Sequence, residues 1–395
     1  MGEREGDRGA AAHPGSASGA AASTYNDLRP IVAVLAASAI GLSASNCLPL
    51  LLGAIVEAFS VRPWEAGLVG SVELWGVALS ALLLAPWVRH VPRARLALAG
   101  AVVATVAQLL SALAGSYAML LSIRALAGLG EGTALAAGLA AVAASPDPDR
   151  LYARVALLGG LGAAALLALL PLAIAPWGYA GGYAALAVIC LAASPLLRWL
   201  PGAPAATASL RGVTGRSAGY RILLGIGILA VGQGGLWAFV ERIGSSLAIE
   251  TNSIGRILGG AALFGLFGAA AAAGLGTRVG RSGPLAVGLC ALGVGTLGLA
   301  HATSATAYAG FAFTWMLAFL FTLPYVMGSA AALDAGGRWV AAATGASTIG
   351  TALGPVLAGI LATRFGYPVL GWFALGCCAC AIAAIVPVVR SLDRG

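Results

Sequence analysis

Between residues 30 and 389 the chain reads as long apolar runs interrupted by short polar seams. A bilayer is crossed by about 20 apolar helical residues, and that rule places twelve helices with edges good to a few residues. They cover 30–58, 65–88, 95–114, 117–143, 152–174, 178–199, 220–243, 253–276, 284–302, 306–332, 339–363 and 367–389. The seams hold the expected breakers and charges: VRPWE, RHVPRAR, AGSYA, SPDPDRLYAR, APWGYAGGY, TRVGRSGP, DAGGRW and RFGYP. The longest seam, 200–219, is rich in Pro, Gly, Ser and Ala and divides the chain into one six-helix bundle over 30–199 and another over 220–390. Residues 1–29 are polar and rich in Gly, Ala and Ser, without the apolar stretch of a signal peptide; they read as a disordered tail.

Composition agrees with the pattern. The 395 residues are 60% hydrophobic and 9% charged, with a mean hydropathy of +0.93. A soluble domain carries about 25% charged residues, so this chain cannot cover a water-facing surface. The expected fold class is an all-α membrane protein.

Charge fixes the expected orientation. The net charge is +8, and every basic residue apart from histidine is arginine. Most arginines fall on the seams that share a side with the N-terminus; Arg62, Arg124, Arg242, Arg256 and Arg364 are the exceptions. The positive-inside rule then puts both termini in the cytoplasm, for a multi-pass protein of the cytoplasmic (inner) membrane. Basic charge spread over many short loops also argues against nucleic acid as a partner.

Metal and enzyme chemistry find little support. Cys47, Cys190, Cys290, Cys377, Cys378 and Cys380 all lie in apolar runs, where thiols act as small hydrophobes. His13, His90 and His301 form no ligand-spaced pair. No nucleophile triad, HExxH helix or catalytic carboxylate pair occurs, so neither an enzyme nor a cofactor is expected.

The two halves overlay with a nearly constant offset: Gly67 with Gly255, Tyr117 with Tyr308, Gly159 with Gly350. That pairing sets Arg124 opposite Trp315 and Glu131 opposite Thr322. Parallel halves related by an axis along the membrane normal are a transporter architecture.

Three motifs carry a family resemblance. The loop GLGTRVGRSGPL (274–285) keeps Gly274, Arg278, Gly280 and Arg281, with Thr277 in place of an aspartate. Its first-half counterpart, APWVRHVPRARL (85–96), is eroded. Span 4 holds Arg124-x-x-x-Gly128-x-Gly130, and span 11 holds Gly350-x-x-x-Gly354-Pro355-x-x-Ala358-Gly359. Over 30–390 the chain resembles the major facilitator superfamily. The resemblance implies two pseudo-symmetric six-helix bundles, a conformational role for Gly274, Arg278, Gly280, Arg281, Gly350, Gly354 and Pro355, and a central path lined by spans 1, 4, 7 and 10. The antiporter glycine–proline run is usual in span 5 of that family; here it stands in span 11, so efflux is not signalled in the usual place.

Charges inside the bilayer cost at least ~2.5–3.5 kcal/mol each and are functional candidates by default. Asn46, Glu73 and Arg124 fall in one layer below the outer surface, which predicts an Arg124–Glu73 pair with Asn46 as a possible bridge. Glu131 is ~10.5 Å further along the helix axis, a separation that reads as too long for a direct pair with Arg124. Glu131 then needs another partner or a proton, as a coupling site would. Arg124 remains open between structural staple and substrate clamp, and Glu131 between proton carrier and solvated vestibule group. Glu57, Glu65, Glu241, Arg242, Glu250 and Arg256 read as solvated outer groups, with Glu241 or Arg242 as an alternative guard of the outer mouth.

In the second half, Gln233 and Trp237 share a face of span 7, and Trp315 and Tyr325 lie on span 10. By the resemblance they face the central path; helix packing is the competing reading. Asn46, Arg124, Gln233, Trp237, Trp315 and Tyr325 are thus the substrate-binding candidates, and Glu73, Glu131 and Arg124 the coupling or gating candidates. The expected function is a proton-coupled secondary transporter, a monomer in the bilayer, moving an amphipathic or aromatic small organic solute, anionic if Arg124 holds it. Alternatives are an efflux antiporter of hydrophobic or cationic compounds and a non-transporting receptor or scaffold of the same fold.

Overall fold

The computed structural model describes residues 28–84, 91–145, 147–201, 216–333 and 338–393. The tail 1–27, loop residues 85–90, seam residues 202–215 and seam residues 334–337 lie outside them. Among the described residues the regular elements are helices, with no strand. In chain order they are α1 Leu28–Phe59, α2 Pro63–Leu84, α3 Arg93–Ala112, α4 Tyr117–Ala143, α5 Pro148–Ala193, α6 Arg216–Ser246, α7 Thr251–Leu275, α8 Ser282–Ala300, α9 Ala305–Ala331, α10 Arg338–Phe365 and α11 Val369–Leu392. A 3-10 turn, Ser194–Trp199, follows α5.

The two spans expected over 152–174 and 178–199 are continuous in this structure. At 46 residues and ~1.5 Å per residue, α5 is twice a bilayer's thickness. It is broken at Gly178, whose φ of +57° and ψ of −147° is a conformation glycine adopts without steric cost. Pro171 and Pro176 remove helix hydrogen bonds just ahead of the break. APWGYAGGY is therefore a kink rather than a loop, and the limbs on either side of it are separate spans.

Helix starts follow local chemistry. Ser116 accepts the Met119 N–H at the start of α4, and Ser304 accepts the Ala307 N–H at the start of α9. Both helices are 27 residues long. Matched at their caps, Arg124 aligns with Ala312, so the sequence overlay onto Trp315 is one turn out of register.

Helices α1–α5 pack chiefly on one another, as do α6–α11, and the pairs α2–α10, α5–α7 and α1–α6 join the two groups. We call the end of the bundle that holds Leu28 and Leu392 the terminus face, and the opposite end the far face. Side chains pointing away from the bundle are apolar: Leu169, Leu172, Val188, Val287 and Val294 are exposed. Exposed Trp177 and Trp372 lie near the far face, and Tyr152 and Tyr220 near the terminus face, as aromatic residues do at membrane interfaces.

Glycines set the helix spacing. A β-carbon on Gly128 would overlap the Glu73 carbonyl of α2, and one on Gly130 would lie 2.6 Å from the Ala104 nitrogen of α3. α4 is thereby pressed against two neighbours at once, at the level of its charged residues.

Candidate functional site

Arg124 projects from α4 into the middle of the first helix group and is fully buried. Its Nε donates to Glu73 Oε2 at 3.0 Å, and its Nη2 lies 2.6 Å from Glu73 Oε1. Nη1 donates to Gln108 Oε1 at 3.0 Å and to Ser111 Oγ at 3.3 Å, both on α3. Nη2 also donates to Glu131 Oε1 at 3.3 Å, and the guanidinium carbon stands 4.7 Å from the Tyr183 ring centroid. Gln108 Nε2 donates to Glu131 Oε1 at 2.7 Å. The cluster holds one guanidinium against two carboxylates, and its residues come from α2, α3, α4 and the second limb of α5.

Three expectations change here. Glu131 does reach Arg124. The spacing along the axis is as expected, but Glu131 leans toward the helix N-terminus, as long helical side chains do, and two long side chains close the gap. Asn46 is not part of the cluster; Gln108 and Ser111 fill the place given to it. Arg124 and Glu131 do not border the central cavity, so a substrate held by Arg124 has no path to it in this conformation. Reading the sequence misses Gln108. The signal is present, since Gln108 and Ser111 stand three apart on one helix face of an otherwise apolar run.

The cavity lies between the two helix groups and has a volume of about 340 Å³. Asn46 of α1 borders it, as do Gln233 and Trp237 of α6, Trp315 and Thr322 of α9, and Ser347 and Thr351 of α10. The remaining wall is apolar, including Leu167, Leu266, Met316 and Phe319, and among the described residues no charged side chain borders it. Trp315 Nε1 donates to Gln233 Oε1 at 2.7 Å, and the Trp237 and Trp315 rings are 6.0 Å apart. Trp237 Nε1 donates across the groups to the Ser45 carbonyl at 3.0 Å. Tyr325 departs from expectation: it is buried, absent from the cavity wall, and its hydroxyl donates to the Ala272 carbonyl at 3.3 Å.

Toward the far face α2 and α10 close on one another across the two groups. The Val356 N–H donates to Ser71 Oγ at 3.1 Å and the Trp64 N–H to Thr363 Oγ1 at 3.1 Å, stitching α10 to α2. A β-carbon on Gly67 would overlap the Pro355 carbonyl, and one on Gly359 would lie 2.6 Å from the Pro63 carbonyl. Gly350 and Gly354 instead press α10 onto α6, at Gly227 and at Gly234–Gly235. Ile226, Met327 and Ser347 extend the cavity wall toward the terminus face.

The 274–285 loop turns at Gly276 and Gly280, with φ of +53° and +75°. Asp393, just past α11, accepts the backbone N–H groups of Arg281 (3.1 Å) and Ser282 (2.9 Å) at the start of α8. Slight desolvation of the exposed Asp393 acts to raise its pKa; the hydrogen bonds from Ser282 and Arg281 outweigh it and hold the carboxyl below its usual value. The acid that the loop lacks at Thr277 is supplied from another helix.

The family model described as Major Facilitator Superfamily matches residues 33–222. No curated protein matches the sequence. Among solved structures, a bacterial homolog of the human lysosomal transporter Spinster, inward-facing and unoccupied, has a TM-score of 0.71 at 15% identity, over 92% of this chain and 95% of that one. The peptide transporter POT, in complex with sulfate, gives 0.75 at 14% identity, over 92% and 95%. The nucleoside transporter NupG gives 0.72 at 10% identity, over 92% and 100%. Two packed helix groups around a shared cavity, apolar on their outer surface, thus coincide with the family match: residues 33–222 match the Major Facilitator Superfamily, and the chain has the fold of the multi-pass membrane transporters it resembles.

Proposed function

We propose that the chain is a secondary transporter that carries an uncharged amphipathic or aromatic small solute by alternating access. The observation that carries this is the cavity between the helix groups, with two indole rings, Asn46, Gln233 and hydroxyls, but no charge among the described residues of its wall. A buried ion without a partner is strongly disfavoured, so an organic acid or a hydrophobic cation fits this wall less well than a neutral ring with one or two hydrogen-bonding groups. The arginine pattern supports cytoplasmic termini in an inner membrane. With that orientation, the α2–α10 closure at the far face and the cavity reaching the terminus face correspond to a state open to the inside. A monomer suffices, because the path lies within one chain.

Proton coupling belongs to the same proposal. Two buried carboxylates exceed their local arginine: Glu131 beside Arg124, and Glu241 beside Arg242. The test has two arms. Thermal unfolding in detergent is followed against neutral aromatics, organic acids and hydrophobic cations; stabilisation confined to the charged compounds overturns the substrate class. Any stabilising compound is then followed in proteoliposomes with an imposed pH gradient, and flux indifferent to the gradient overturns the coupling. An efflux antiporter of hydrophobic compounds is the second reading, favoured by the apolar wall, and the direction of gradient-driven flux decides it.

A further inference from the structure

Glu241 reads in sequence as a solvated outer residue, yet it is 1% exposed. It lies on α6, near the far face, and points at α1 of the other helix group. Its Oε1 accepts from Ser245 Oγ at 2.6 Å. Its Oε2 is buried without a hydrogen-bond partner among the described residues. That oxygen rests on Gly53, where a β-carbon would overlap it. The carboxylate is thus seated on bare backbone of the opposing half.

The neighbouring charges do not balance it. Arg242 Nη1 donates to Glu57 Oε1 at 3.1 Å and to the Gly53 carbonyl at 3.4 Å, while Arg242 Nε is 3.9 Å from Glu241 Oε2, beyond hydrogen-bond reach. Glu57 of α1 has 66% of its side chain exposed and takes the guanidinium as its own counter-ion. The other titratable groups facing this site are Tyr308 of α9, whose hydroxyl donates to the Val240 carbonyl at 2.9 Å, and Tyr367 between α10 and α11. Neither supplies a cation. One guanidinium thus serves two carboxylates, and the buried one is the surplus.

We infer that Glu241 is a proton-carrying group of the transport cycle: the far face closes when Glu241 takes up one proton and seats on Gly53 as the neutral acid, and opening returns the carboxylate to water. Burying a carboxylate that lacks a full counter-charge is prohibitive, whereas a carboxylic acid is tolerated. A polar hollow of about 570 Å³ on the far face, lined by Ala54, Glu57, Glu250 and Asn252, brings far-side water to the residue next to Gly53. Trp237, one turn away on the same side of α6, borders the central cavity. Glu131 differs in this respect. All its partners belong to its own helix group, so a rocking motion of the two groups leaves its surroundings unchanged.

The inference rests on the alternating-access reading, and the test separates the two. Spin labels at Gly115→Cys and Thr303→Cys, on far-face seams of the two groups, report the opening of that face. In nanodiscs between pH 5 and pH 9, the short-distance population should fall as pH rises. Glu241→Gln, which mimics the protonated side chain, should abolish that dependence and hold the short distance throughout. Wild-type distances that ignore pH, or a Glu241→Gln protein that keeps the wild-type pH profile, overturn the inference. Gly359→Leu wedges the α2–α10 seam directly. If the distance responds to that wedge but not to pH, only the role of Glu241 fails; if it responds to neither, the reading of the α2–α10 seam as the closing surface of the alternating-access cycle fails with it.

Discussion

Arg124 makes every polar contact it has with side chains that are themselves buried, so its removal is not a simple deletion of one bond. Arg124→Ala leaves Glu73 and Glu131 without a cation in a dry core, and breaking such a pair costs about 3–5 kcal/mol. The unfolding temperature in detergent should fall accordingly. Glu73→Gln alone should cost less, because Gln can still accept from the guanidinium while Glu131 keeps the cluster neutral. The double variant should lose less than the sum of the two, and additive losses would mean the residues do not act as a pair. The depth of Arg124 and Glu73 is readable from helix geometry, because residue counting along a span is a one-dimensional measurement. The reach of Glu131 is not. Axial spacing says nothing about how far two flexible side chains lean toward each other, and the nearest competing partner, Gln108, arrives from a helix whose packing the sequence does not state.

Helix ends are set by backbone donors and acceptors, and those of α8 are satisfied from outside its own segment. Arg281 occupies the position before α8 without a side-chain cap, and Asp393 brings the carboxylate to its exposed N–H groups. Because the folded Asp393 carboxyl titrates below its unfolded value, its stabilisation is present above about pH 4 and is lost as pH falls through the lower, folded value. The gap in unfolding temperature between the wild type and Asp393→Asn should therefore be level from pH 5 to 8 and close below pH 4. A gap that widens on acidification would rule out the cap. The sequence marks the loop by its glycines and leaves the missing acid at Thr277 unexplained, since a residue more than a hundred positions away supplies it. The break in α5 is similarly half legible. Pro176 and Gly178 announce an interruption, but whether the chain loops or only kinks depends on the φ that Gly178 adopts once both limbs have packed.

The two helix groups meet in part through glycines, where backbone lies against backbone. The α2–α10 seam has this character at both ends of its contact, with Gly67 against Pro355 and Gly359 against Pro63 and Trp64. This pairing gives Gly359 and Pro355 a mechanical meaning that the motif alone does not disclose, because the partner helix belongs to the other half of the chain. Side chains added here act as wedges without touching the cavity. In Gly359→Leu, the new β-carbon alone would lie 2.6 Å from the Pro63 carbonyl and 2.8 Å from the Trp64 α-carbon, both rigid backbone, so the seam must part rather than adjust. Opening of the far face would relieve this overlap, so the wedge favours it. The expected result is a longer Gly115–Thr303 label distance at every pH and slower solute flux. Solute stabilisation in detergent should be retained, since Gly359 does not border the central cavity. A variant with unchanged distance and unchanged flux would show that the α2–α10 seam is not the surface on which the two halves close.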